Sequence, residues 1–96
     1  MDANTIISAS KNTVFSEVSG EAVILNMNDG VYYGLDPVGV SIWKALQQPT
    51  EVQGIHAMLL GEYDVDPEQC LRDLVSLLEQ LRQNQLLEVH VAAAQT

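Results

Sequence analysis

The sequence predicts an α+β domain of the winged helix-turn-helix type, an N-terminal three-stranded antiparallel sheet followed by three helices. Three observations lead to it. In the first third of the chain apolar and polar residues alternate and β-branched residues are common, which is the period of strands. From Asp36 onward apolar residues recur at the three- and four-residue intervals of helices. The 96 residues leave no room for a second core of comparable size, so one domain spans 1–96, with a core over about 13–91 and flexible ends.

Strand character is faint in Thr5 to Ser10 and clear in Thr13 to Val18, where Ser19-Gly20 breaks the run. Glu21 to Met27 (EAVILNM) is a strongly apolar strand, and Asn28-Asp29-Gly30 supplies residues that tolerate positive φ in a tight hairpin turn. Val31 to Leu35 is the returning strand. Consecutive hairpins build a meander whose first and last strands are edges, which puts Val31 to Leu35 at an edge.

The first helix has Asp36 as N-cap, Pro37 at its first position, and Val38, Ile42, Ala45 and Leu46 along one face; Pro49 closes it. Thr50 to Gln53 fits a capping box opening the second helix, whose Val52, Ile55 and Leu59 share a face before Gly61 ends it. Asp66-Pro67-Glu68-Gln69 combines an Asp cap, a Pro start and a capping-box Gln, and the third helix runs to about Asn84. Leu86 to Val91 reads as a last short strand packed on the helices, while Ala92 to Thr96 has nothing to anchor it.

The third helix is wider in apolar residues than one buried stripe needs. Leu71, Leu74, Val75, Leu78 and Leu81 make the stripe, and Cys70 and Leu77 extend it sideways, so the helix packs on two sides and leaves a cleft against the edge strand. An exposed edge strand is an aggregation hazard unless blunted, yet Val31-Tyr32-Tyr33-Gly34-Leu35 carries neither charge nor proline. A regular partner strand explains the omission. Alternation sends Tyr32 and Tyr33 to opposite faces, so one of the two is a contact residue in or beside the cleft.

Catalysis finds little to work with. Cys70 is the only cysteine and His56 and His90 the only histidines, which rules out an internal disulfide or a multi-cysteine zinc site and leaves no nucleophile–base pair or metal set in the sequence. Asp64, Asp66 and Glu68 resemble a calcium-loop fragment without its glycine and terminal glutamate, and capping accounts for Asp66 more simply. The glycines never assemble a phosphate loop; Gly39 and Gly54 fall inside helices, where close packing explains them. No cofactor is expected. Thirteen acids against four bases give a formal charge of −9, and the would-be recognition helix sets Glu68, Asp73 and Glu79 against Arg72 and Arg82, so nucleic acid and anionic membranes are disfavoured as partners. With no bilayer-length apolar run and an acid at position 2 where a secretory signal carries Lys or Arg, a soluble cytoplasmic protein is expected.

The string VILNMNDGVYYGLDPVGVSIWKAL, continuing into YDVDPEQCLRDLVSLLEQLRQNQLLE, resembles the PqqD-like family over about Val14 to Glu88. The shared pattern is an apolar strand, a Gly turn, Tyr-Tyr then Leu-Asp, a Gly-x-x-Ile-Trp helix, and a Val-Asp-x-Glu helix start before a Leu-rich helix. The resemblance implies a stand-alone recognition element for ribosomally made, post-translationally modified peptides. It implies that a precursor's leader binds as an added strand on Val31 to Leu35, with side chains entering the groove beside a helix that presents Cys70, Asp73, Leu74, Leu77 and Leu81. Backbone groups of Val31, Tyr33 or their neighbours would supply the pairing, and Asp73 could orient a basic leader. The Tyr-Tyr-x-Leu-Asp stretch favours the lasso-peptide type, whose implied partners are a leader peptidase and a cyclase. The alternatives are a chaperone subunit for another peptide-modifying enzyme, such as a radical SAM enzyme, and a winged-helix DNA regulator. A monomer is expected, able to dimerise or exchange strands through its open edge.

Overall fold

The alternating first third of the chain resolves into four strands shared between two sheets. The computed structural model describes residues 1–19 and 21–90. In chain order the elements are β1 (Ile6–Ala9), β2 (Thr13–Val18), β3 (Glu21–Asn26), β4 (Tyr32–Leu35), α1 (Pro37–Ala45), β5 (Thr50–Glu51), α2 (Val52–Glu62), α3 (Pro67–Gln83) and β6 (Leu87–His90).

The expected meander is β2-β3-β4, all antiparallel. Val18 lies opposite Glu21, and Ser19 takes the left-handed φ of 54° that so short a hairpin demands. Between β3 and β4, Asn26 Oδ1 accepts the Asn28 N–H at 2.9 Å, Asp29 Oδ1 accepts the Val31 N–H at 2.9 Å, and Gly30 supplies φ of 72°.

β1 does not join this meander. It is the centre of a second sheet, order β5-β1-β6, paired from Ile6 opposite His90 to Ala9 opposite Leu87. Ile7 is fully buried, and the N–H groups of Ala9 and Ser10 donate to the Leu46 and Leu86 carbonyls at 2.7 and 3.0 Å, which fastens the strand against the ends of α1 and α3. The predicted last strand is present as β6, paired to β1 rather than only packed on helices. Gly20, Val91 and Ala92 to Thr96 lie outside the described residues.

Several local expectations need correcting. Thr50 is not a helix cap: it pairs with Ile7 in β5, and the N-cap is Glu51, whose side chain makes no capping bond. The first amides of α2 are held by the N-terminal segment instead, Val52 N–H on the Thr5 carbonyl and Gln53 N–H on the Ala3 carbonyl, both at 3.0 Å. α2 runs through Gly61 to Glu62, and α1 ends at Ala45, ahead of Pro49. The caps at Asp36 and Asp66 form, accepting Gly39 and Gln69 N–H at 2.8 and 2.9 Å. The Gln69 side chain turns forward to Asp73 rather than back to its cap.

The core joins both sheets to the helices through Ile7, Ile24, Ile42, Trp43, Leu46 and Leu78, among others. Burial of each such side chain contributes about 1.5–3 kcal/mol. Val38 and Leu71, expected in buried stripes, are exposed. Val40 and Trp43 take the core side of α1, and Leu74, Leu78 and Leu81 that of α3. Gly39 lets α1 press onto β4: a Cβ there would stand 3.1 Å from Leu35 Cδ2.

Candidate functional site

Among the described residues β4 pairs with β3 alone, so one side of it is an open edge. Two hydrogen bonds set the phase of the ladder: Asn26 N–H donates to the Val31 carbonyl at 3.0 Å, and Met27 N–H to the Asn12 carbonyl at 2.9 Å. In an antiparallel sheet bonded and non-bonded pairs alternate, so Ala22, Ile24 and Asn26 of β3 bond toward β4, through Leu35, Tyr33 and Val31. The N–H and C=O groups of Tyr32 and Gly34 are therefore the ones presented at the open edge. Val31 is already engaged, its N–H on Asp29 and its carbonyl by Asn26, and Tyr33 bonds inward. Pairing capacity resides in Tyr32 and Gly34, not in Val31 and Tyr33.

Register also settles the two tyrosines. Tyr33 and Leu35 lie opposite Ile24 and Ala22 on the core side, while Tyr32 points to the outer face with 65% of its surface exposed. Tyr33 enters a groove of about 530 Å³ between β4 and α3, floored by Leu35, Ile42, Leu59 and Leu74. Its hydroxyl crosses to α3 and donates to Gln80 Oε1.

Of the residues singled out from sequence, Tyr33, Gly34, Leu35, Cys70, Asp73, Leu74 and Leu77 come together around this groove. Val31 and Tyr32 do not line it. Leu81 does not either: it has 0% exposure, one turn past Leu77 and on the core stripe with Leu74 and Leu78. The lining also includes Val38, Gly39, Tyr63, Val65, Ser76 and Gln80. Gln80 was legible, since Cys70, Asp73, Leu77 and Gln80 repeat at helical spacing. Val38, Tyr63 and Val65 come from other elements and carry no local signal.

Burial pushes the Cys70 thiol up, and the neighbouring Asp73 carboxylate pushes it the same way. The thiol is thus held protonated at neutral pH, the opposite of an activated nucleophile. Burial also raises the Tyr33 hydroxyl, with Asp36 adding to it. Among the described residues the charged ones lining the groove are Asp36 and Asp73. Both histidines have local partners, His56 Nε2 at 2.9 Å from the Pro67 carbonyl and His90 Nε2 at 2.7 Å from the Ser8 hydroxyl. Among the described residues no group of three or more His, Cys, Asp or Glu is placed to hold a metal, and no helix is long and apolar enough to cross a membrane.

On this α+β scaffold an uncharged open edge strand flanks an apolar groove, the arrangement that peptide-binding modules as a class present. The family model of coenzyme PQQ synthesis protein D (PqqD) matches residues 21–87, and the chain belongs to this family. Among solved structures it is similar to TbiB1 in complex with the TbiA(beta) leader peptide, with 33% identity, a TM-score of 0.78, and coverage of 88% of this chain and 99% of that one. It is also similar to a lasso peptide synthetase B1 complexed with the leader peptide, with 20% identity, a TM-score of 0.75, and coverage of 85% of this chain and 96% of that one; at this identity the likeness is one of fold. No curated protein matches the chain in sequence.

Proposed function

We propose that this chain is a non-catalytic, cytoplasmic recognition subunit of lasso-peptide biosynthesis. It binds the leader segment of a ribosomally made precursor by strand addition along β4 and delivers it to a leader peptidase and a cyclase. The observation that carries this reading is the open edge of Tyr32 and Gly34 beside the groove, in a chain 33% identical to a structure that holds a leader peptide. Main-chain bonds to the edge provide affinity for any extended peptide, and the groove between Leu35 and Leu77 selects the side chains that enter it.

Titration of a fluorescently labelled leader, synthesised from the precursor encoded beside the gene, tests this directly. Saturable binding is expected, weakened more than about tenfold by Leu77→Lys, which sets a charge in the apolar groove. N-methylation of successive leader residues removes one backbone donor at a time, and sensitivity is expected to alternate along the strand. No binding, or binding indifferent to both changes, would refute the reading. The match to the PqqD model also favours a second role, as chaperone subunit of another peptide-modifying enzyme such as a radical SAM enzyme. Binding of that enzyme's precursor in preference to the lasso-type leader distinguishes the two.

A further inference from the structure

A second hollow adjoins the edge strand, sharing Gly34, Leu35 and Asp36 with the groove and extending over Val23 of β3. It has a volume of about 520 Å³ and lies at Gly34 between Val23 and Pro37, and among the described residues its charged lining is Glu21 and Asp36. Position 34 has no side chain to occupy this space: a Cβ placed there would meet nothing within 4 Å. Gly34 stands directly opposite Val23, on the face of the sheet turned away from the core.

A strand added to β4 continues the alternation across the sheet. Its residues opposite Tyr33 and Leu35 turn into the groove, and the residue opposite Gly34 turns outward into this hollow, whichever direction the added strand runs. We infer that the hollow is a second subsite, taking a lysine or arginine side chain of the bound peptide; this rests on strand addition along β4.

The chemistry of the lining selects that side chain. Glu21 and Asp36 form no salt bridge among the described residues, whose two pairs are Lys44–Glu17 and Arg82–Glu79. Capping α1 uses Asp36 Oδ1, which accepts the Gly39 N–H. A long basic side chain can lay its methylenes on Val23 and Pro37 and set its charge between the two carboxylates. A purely apolar side chain would desolvate those carboxylates without pairing them, and an acidic one would add a third negative charge to a chain already at −9.

The test uses the full chain and short random peptides displayed on phage. A selected peptide that binds saturably is resynthesised with lysine, glutamine and glutamate at each position in turn, and affinities are measured at low ionic strength. One position is expected to rank lysine above glutamine above glutamate, with lysine ahead of glutamine by about fivefold and the margin shrinking in salt. In the Glu21→Gln/Asp36→Asn double variant, where asparagine still caps α1, the lysine-to-glutamine ratio should fall to near one. Gly34→Val, which puts a branched side chain into the hollow, should reduce the same preference. Equal binding of the three peptides at every position, or a preference that survives the double variant, overturns the subsite and leaves strand addition standing. If no selected peptide shows alternating sensitivity to N-methylation, strand addition itself falls and the subsite with it.

Discussion

Asn26 ends an apolar strand yet is 2% exposed, and both polar atoms of its side chain are bonded. Nδ2 donates to the Asn84 carbonyl at 3.0 Å and Oδ1 accepts the Asn28 N–H at 2.9 Å, so one amide ties the β3–β4 turn to the end of α3. Asn26→Asp keeps the acceptor but turns an oxygen toward the Asn84 carbonyl. A loss of about 1–3 kcal/mol is expected in urea denaturation, the cost of losing this bond and setting two oxygens together where the side chain is 2% exposed. Cys70 gives a second prediction at this scale. Because burial and Asp73 both raise its pKa, alkylation by iodoacetamide should accelerate only above the ordinary thiol range. Asp73→Asn removes the smaller cause and should move the midpoint down without restoring the free-thiol value, and bound leader should protect Cys70 because it lines the groove.

Among the elements, α3 does most to shape the site, and its last turn is closed chiefly by backbone bonds, with the Asn84 side chain adding one to the Gln80 carbonyl at 2.7 Å. Leu86 N–H returns to the Leu81 carbonyl at 2.8 Å and Gln85 N–H to the Arg82 carbonyl at 3.0 Å, with Gln85 at φ of 60°. This is a Schellman close, usually made by glycine, with Leu81 and Leu86 both buried beneath it. Gln85→Gly relieves the left-handed strain and is expected to raise stability by about 0.5–1 kcal/mol, read as a higher urea midpoint at unchanged slope. β4 illustrates the opposite balance. Its sequence is poor in the charges that protect edges, and its location as last strand of a meander was readable from the hairpin signals. The phase of its hydrogen bonds was not. Whether Val31 and Tyr33 or Tyr32 and Gly34 face the open edge depends on which residues close the turn, and Asn26 with Val31 closes it through one bond.

On the scale of the whole molecule, the charge of −9 both keeps copies apart and weakens any approach to nucleic acid. Salt screens that repulsion, so the open edge should self-pair at high concentration and high ionic strength. Sedimentation velocity should then show a rising average mass, reversed by saturating leader; a mass independent of concentration in salt would exclude pairing through β4. The second sheet closes the molecule at the same scale. By pairing β1 with β6 it ties the N-terminal segment to the exit of α3.

The sequence by itself determined the α+β class, the meander, two of the three helix starts, an unguarded strand and an overwide helix. All of these are local, written in period, capping chemistry and turn residues within a few positions of one another. Tertiary structure decided what depends on distant partners. Thr5 to Ser10 carries only faint strand character until Leu87 to His90 pairs with it, and Thr50 reads as a cap until Ile7 draws it into a strand. Leu81 matches Leu77 in composition, and only the angle at which α3 meets the core buries one and opens the other to the groove. The hollow at Gly34 likewise appears only when Glu21 and Asp36, fifteen positions apart in sequence, are brought together at one end of the sheet.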